Sequence, residues 1–214
     1  MQRIYEEGKV FVPKNWVPTK KQRETTLKLV QELRKNVINS PLFKIRQGLY
    51  SQIENHLGKI HNTDSIKKAF LAEKEAKFEN IKSGEVAPCE VCALGALYMS
   101  KILLKNKDKF NNSSYYITTP LATSDAMHDL IGKYNAVMIE SAFEKQTMGT
   151  IPFPEANDYY YDLQEIRVRS SNYCNGMDDK DALKKICKNI VKNKGVFLPP
   201  NVRLHETKTK RSSV

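Results

Sequence analysis

The sequence predicts a mainly α-helical protein: a single multi-helix domain around one buried central helix, about residues 89–105. A minor β or extended piece at the N-terminus and a flexible basic C-terminal tail complete the expected fold. Three observations carry this prediction. Nine Gly and nine Pro in 214 residues are too few for a turn-rich β protein. Apolar residues recur at helical spacing in residues 20–37 and again in 179–194. The run from Val91 to Leu104 is apolar almost throughout in an otherwise polar, lysine-rich chain, and a helix apolar on most sides needs neighbours on most sides. The implied organisation is one helical domain over 1–200, with an arm at 1–18, added helices over 19–82 and a core unit over 83–198, followed by a tail at 201–214.

Taken in order, residues 3–12 hold short apolar runs around Glu7-Gly8 and suggest a small hairpin or an extended arm. Pro13, Trp16 and Pro18 make a connector, and Thr19 is placed to cap a helix over about 20–37. On that helix Leu27, Val30, Leu33 and Val37 form the apolar stripe, while Lys20, Lys21, Arg23, Lys28, Arg34 and Lys35 make the remainder basic. Ser40 with Pro41 in the first turn predicts a second helix to about 57, and Thr63 or Asp64 a third to about 82. The central helix follows Ala87-Pro88, with Val91, Leu94, Leu97, Ile102 and Leu104 expected to be buried and Gly95 at a close backbone crossing. Lys105 to Ser114 reads as a solvated loop, and Tyr115 to Thr119 as a short extended piece. A helical turn capped by Ser124 or Asp125 runs to about 131, Gly132 breaks it, and a further helix covers about 135–145. After an irregular stretch from Thr147 to Asn157 and a turn at Asn175-Gly176, Asp178 or Asp179 opens the last helix, which Gly195 stops.

The N-terminal residues lack the apolar core of a signal peptide, and the Val91–Leu104 run falls short of the roughly 20 residues that span a bilayer. The expectation is therefore a cytoplasmic protein, with no membrane partner and with Cys89, Cys92, Cys174 and Cys187 as reduced thiols. The formal net charge of +11 is unevenly spread. Residues 182–214 carry nine Lys or Arg against Glu206 alone, whereas residues 120–165 carry eight acids against Lys133 and Lys145. A molecule with one positive and one negative region follows.

The sharpest chemical motif is Cys89-x-x-Cys92. Two thiolates at that spacing suit one face of a zinc tetrahedron, but Cys174 and Cys187 are too far apart to supply a second pair, and Cys187 lies on an apolar stripe. Core cysteines and no cofactor are the simpler expectation. Cys89, placed at a helix N-terminus, would have its thiolate favoured by the helix dipole, although Glu90 beside it opposes the anion. Glu140 and Glu144 share a helix face, which reads as an acid/base or metal-ligating pair facing the Cys89 helix or, more simply, as a solvated face.

A polyanion site is the leading functional expectation. Lys184, Lys185, Lys188, Lys192 and Lys194 on the last helix, with Lys208, Lys210 and Arg211 in the tail, suit phosphate neutralisation, and Tyr160 beside Arg167 and Arg169 suits base stacking. The expected ligand is nucleic acid or a phosphate-rich nucleotide, in a binding protein rather than an enzyme. A structural role through a protein partner or homo-oligomer ranks second, and a zinc- or thiol-dependent enzyme using Cys89 or Cys92 third.

Three segments, Cys92-Ala93-Leu94-Gly95-Ala96-Leu97, Ile139-Glu140-Ser141-Ala142-Phe143-Glu144 and Leu183-Lys184-Lys185-Ile186-Cys187-Lys188-Asn189-Ile190-Val191-Lys192-Asn193-Lys194-Gly195-Val196-Phe197, together resemble small uncharacterised helical proteins of bacteria and their tailed phages. The resemblance implies no activity. It implies that the Cys92 helix, the Glu140 helix and the last helix form one core unit, and it leaves open a virion-associated, host-takeover or anti-defence role in a bacterial host.

Overall fold

A computed structural model describes residues 8–40, 43–47, 51–52, 54–55, 58–59, 89–104, 125–145 and 160–205. Of these, 65% are helical, in six α-helices with a few short strands, so the chain is mainly α. The expected third helix, the loop and extended piece over 105–119 and the irregular stretch over 147–157 lie outside the described residues.

Strand β1 (Val10–Phe11) and a 3-10 turn (Lys14–Trp16) lead to α1 (Lys20–Glu32), which passes directly into a π turn (Leu33–Val37). A capping box starts α1: Thr19 Oγ1 accepts from the Gln22 N–H at 3.3 Å and the Thr19 N–H donates to Gln22 Oε1 at 2.8 Å. Gln22 Nε2 also donates to the carbonyl of His128, which ties this first turn to α3 (Asp125–Ile131). Leu29, Val30, Leu33, Val37 and Ile38 are buried while Arg34, Lys35 and Asn36 are exposed, so the π turn carries the basic edge outward without interrupting the apolar one.

Where a second helix was expected, the described residues are short strands. Strand β2 (Phe43–Ile45) runs parallel to β6 (Cys89–Val91), β3 (Ser51–Gln52) runs antiparallel to β6, and β4 (Glu54–Asn55) and β5 (Gly58–Lys59) pair with each other. The reason is the distant partner: β2 finds its hydrogen bonds on residues more than forty positions later, which local periodicity cannot register. The same pairing shortens the central helix, because Cys89–Val91 belongs to the sheet and α2 begins only at Ala93 (Ala93–Leu104).

Every residue from Val91 to Ser100 is buried, as the apolar run predicts, but Leu104 is 47% exposed. Burial is shared with α4 (Lys133–Glu144), in which nine of twelve residues are buried and which packs against α2, α3, α5 (Tyr160–Ser171) and α6 (Asp179–Lys192). Two helices therefore form the centre. Helix α1 packs on α2, α3 and α6, so it belongs to the core rather than being added to it.

The chain ends are also ordered further than expected. Strand β7 (Val202–Arg203) pairs parallel with β1, with Val10 opposite Val202, and His205 stacks on Phe11 at 5.0 Å. Residues 201–205 are thus part of the fold rather than of a flexible tail, because buried Val10, Val12 and Val202 give this clasp an apolar side, while the first half of the expected N-terminal hairpin or arm lies outside the described residues.

Candidate functional site

Helices α1 and α6 pack side by side and run antiparallel. Gly195, just past α6, sits against the backbone of Arg23 in the first turn of α1. At the other end the guanidinium of Arg34 is close enough to Cys187 for its charge to act on that thiol. Between the outer edges of the two helices lies an open groove of about 420 Å³ lined by Gln31, Arg34, Lys35, Ile38, Asn39, Lys184 and Lys188. Four of these seven residues are cationic and none is acidic.

Each wall has a local cause. On α6, Asp178 caps the N-terminus by accepting from the Asp181 N–H at 2.9 Å, and Ala182, Leu183, Ile186, Cys187 and Ile190 turn inward. The four-residue step then places Lys184 and Lys188 on one outer line. On the α1 side the π turn presents Arg34 and Lys35 together, and an inserted turn of this kind recurs at functional positions. Ile38, buried, is the apolar member of the lining. The Lys184 ammonium hydrogen-bonds Asp181 at 2.8 Å, and that bond with its charge holds the Asp181 carboxyl below its ordinary range.

The lysines expected to act together do not all face this groove. Lys185 donates to the Tyr173 carbonyl at 2.6 Å and lies over the Tyr173 ring, so it fixes the turn before α6. Lys192 and Lys194 are exposed farther along the helix and beyond its end. Lys208, Lys210 and Arg211 lie outside the described residues. On α5, Tyr160 and Tyr161 are exposed and meet edge to face. Arg167, however, is only 7% exposed, and Arg169 donates to Glu165 and to the carbonyls of Gly8 and Pro200. That pair of arginines is engaged in the fold, Arg169 as a staple across the terminal clasp. Arg34, Lys35, Gln31 and Asn39 join the site instead. Their signal was the basic face of the first helix, but its proximity to residues about 150 positions later is a tertiary fact.

The cysteine motif has a different part. Cys89 lies in β6 and not at a helix N-terminus, so the dipole argument does not apply to it. Cys92 precedes α2, where its Sγ accepts the Gly95 N–H at 3.4 Å and serves as the cap of a buried helix. Burial pushes its thiol up to about 12, and the carboxylates of Glu144 and Glu140 add to that push. Burial likewise raises Cys174 to about 11 and Cys187 to about 12. These are neutral capping and core thiols. Glu140 and Glu144 are half-buried rather than fully solvated, close to Cys92, with Glu140 also acting on Arg167. Among the described residues no group of three or more His, Cys, Asp or Glu is arranged to hold a metal ion, and no helix is long and apolar enough to cross a membrane.

The last of the three resembling segments also resolves into packing. Asn189 donates to the Leu198 carbonyl and accepts from its N–H, Asn193 hydrogen-bonds Asn189, Gly195 permits the contact with Arg23, and Phe197 is fully buried against Tyr173. No protein-family model, no curated protein and no solved structure matches the chain, so what the site can do rests on its own residues.

Proposed function

We propose that this protein is a non-enzymatic binding protein that engages a phosphate-rich polyanion in the groove between the end of α1 and α6. The observation that carries this reading is the convergence of Arg34 and Lys35 with Lys184 and Lys188 in one open groove without a carboxylate in its lining. Like charges gathered from distant parts of a chain repel one another, and an anion relieves that repulsion while releasing its own counterions. Arg34 adds a planar donor fork suited to phosphate oxygens, and Gln31 and Asn39 add neutral amides. The basic segment after residue 205 supplements the groove through non-specific attraction.

The test is fluorescence anisotropy with labelled oligonucleotides at low salt. Arg34→Gln and Lys188→Gln should each weaken binding about 5-fold, the equivalent of about 1 kcal/mol. With four phosphates neutralised, affinity for a single strand should fall about 50-fold between about 50 and 200 mM salt. Absence of binding to single strands, duplexes and polyphosphate at low salt removes the proposal.

A further inference from the structure

We infer that the groove takes one phosphodiester strand lying along it, several phosphates at a time and without reading bases, rather than a single nucleotide or phosphate group. This inference rests on the polyanion reading above and specifies its ligand. The cations form rails and do not converge on a point. On α6, Lys184, Lys188 and Lys192 follow one another at four-residue steps, about 6 Å apart along the helix, the scale of the step between successive phosphates of a strand. On the facing wall, Lys28 of α1 and Lys35 of the π turn are exposed two turns apart, with Gln31 between them. Because the helices are antiparallel, Lys192 and Lys28 extend the two rims in the same direction, away from Lys184 and Lys35.

The features that cradle an isolated phosphate are missing from the groove as described. A single-phosphate site gathers free backbone N–H groups at a helix N-terminus or a glycine-rich loop. Here the Asp178 carboxylate occupies the Asp181 N–H at the start of α6, and the acids Asp178, Asp179 and Asp181 make that end unfavourable to an anion. A strand is therefore directed from Lys184 toward Lys192 and does not continue past Asp181. The lining also contains no aromatic ring, so it offers no platform on which bases stack. Contacts to the sugar–phosphate backbone alone give affinity that depends on length and salt and little on sequence.

The experiment is a length series of oligothymidylates, from thymidine monophosphate to about 12 nucleotides, titrated into the full chain at several salt concentrations. Affinity should climb over about the first three nucleotides, whose phosphates span the roughly 12 Å from Lys184 to Lys192 at the stated spacing, and level off thereafter. Arg34→Gln and Lys188→Gln should each reduce the slope of log affinity against log salt by about 0.7. Lys192→Gln should weaken the longer oligonucleotides and leave the dinucleotide unchanged. Arg203→Gln, an exposed arginine on β7 outside the groove, should leave affinity and slope within about 2-fold and 0.2 of the unmodified protein. Equal binding of thymidine monophosphate and the longest oligonucleotide overturns the strand inference while leaving the polyanion reading intact. Length dependence that survives the Arg34 and Lys188 substitutions unchanged overturns the assignment to this groove. Failure of every oligonucleotide to bind overturns the polyanion reading itself.

Discussion

Asn135 is fully buried in α4 and connects three parts of the molecule. Its Nδ2 donates to the Gly195 carbonyl at 2.8 Å and the Ile131 carbonyl at 3.0 Å, and its Oδ1 accepts from the Phe197 N–H at 3.0 Å. Among the described residues no strand pairs with the segment just after α6, and this side chain supplies the hydrogen bonds that a sheet ladder would. Asn135→Ala leaves the Phe197 N–H without its acceptor and should cost about 2–4 kcal/mol in urea unfolding. The only trace of Asn135 in the sequence is a polar residue among Tyr134, Ala136, Val137, Met138 and Ile139, which periodicity reads as an interruption. The thiols give a second residue-scale prediction, and here the sign matters. Cys92, Cys174 and Cys187 have folded values raised from 9.0 to about 12, 11 and 12. Their contribution is intact below about pH 9, where folded and unfolded thiols are both neutral, and is lost as pH rises toward about 12 because only the unfolded chain ionises. The burial-raised Tyr134 phenol adds to the same loss. Urea midpoints should therefore be flat up to about pH 9 and fall steeply above it. A thiol reagent at neutral pH should leave these three unmodified until the chain unfolds.

At the scale of elements, the register of α1 against α6 decides whether the groove exists. Gly195 has a φ of +93° and its α-carbon faces the Arg23 backbone so closely that an added β-carbon would lie 2.3 Å from the Arg23 carbonyl oxygen. Gly195→Ala should cost about 2–4 kcal/mol and weaken oligonucleotide binding, since backbone must separate to make room. Gly176 is the matched control: its φ is +74° but nothing lies within 4 Å of an added β-carbon. Gly176→Ala should therefore show only the conformational cost, about 1–2 kcal/mol, and leave binding unchanged. Five of the six described helices were legible because their signals are local: Thr19 at the start of α1, the stripe from Leu183 to Ile190, and Gly195 at the stop are all contained within a few turns. Helix α5 was not expected, because Arg167, Ser170 and Ser171 complete its buried face and periodicity reads them as polar. The strands at 43–59 and at 89–91 were not, since Ser40-Pro41 imitates a helix start while the residues that hold β2 lie on a distant strand. Half of the candidate site was legible on the same terms. Lys184 and Lys188 stood out by charge density, and Arg34 and Lys35 were visible as a basic helix face, but only the packing of α1 on α6 makes them one groove.

At the scale of the whole molecule, charge and closure act against each other. The clasp of β1 with β7 and the bonds from Arg169 to Gly8 and Pro200 join the two ends of the described chain, while Arg34, Lys35, Lys184 and Lys188 sit together in a protein of net charge +11. Repulsion between the Arg34–Lys35 pair and the Lys184–Lys188 pair is present in the folded state and largely absent in the unfolded one, where the two pairs lie about 150 positions apart in sequence. Added salt screens it, with a Debye length that falls from about 30 Å at 0.01 M to about 8 Å at 0.15 M. Folding stability should therefore increase with salt over this range, while affinity for oligonucleotides decreases over the same range because releasing each counterion into more concentrated salt gains less free energy. The opposite signs separate a ligand groove from a stabilising ion-pair surface, for which stability would fall as salt rises. Removing two of the four charges together, in Arg34→Gln with Lys188→Gln, should raise stability at low salt and flatten its salt dependence. An oligonucleotide at about 100 times its dissociation constant should stabilise the unmodified protein by about 2.7 kcal/mol. That stabilisation should fall to about 1 kcal/mol in the double variant at the same oligonucleotide concentration, since two losses of about 5-fold leave the ligand at about 4 times its dissociation constant, and should vanish from the unmodified protein at about 0.5 M salt, both measured as shifts in the thermal midpoint.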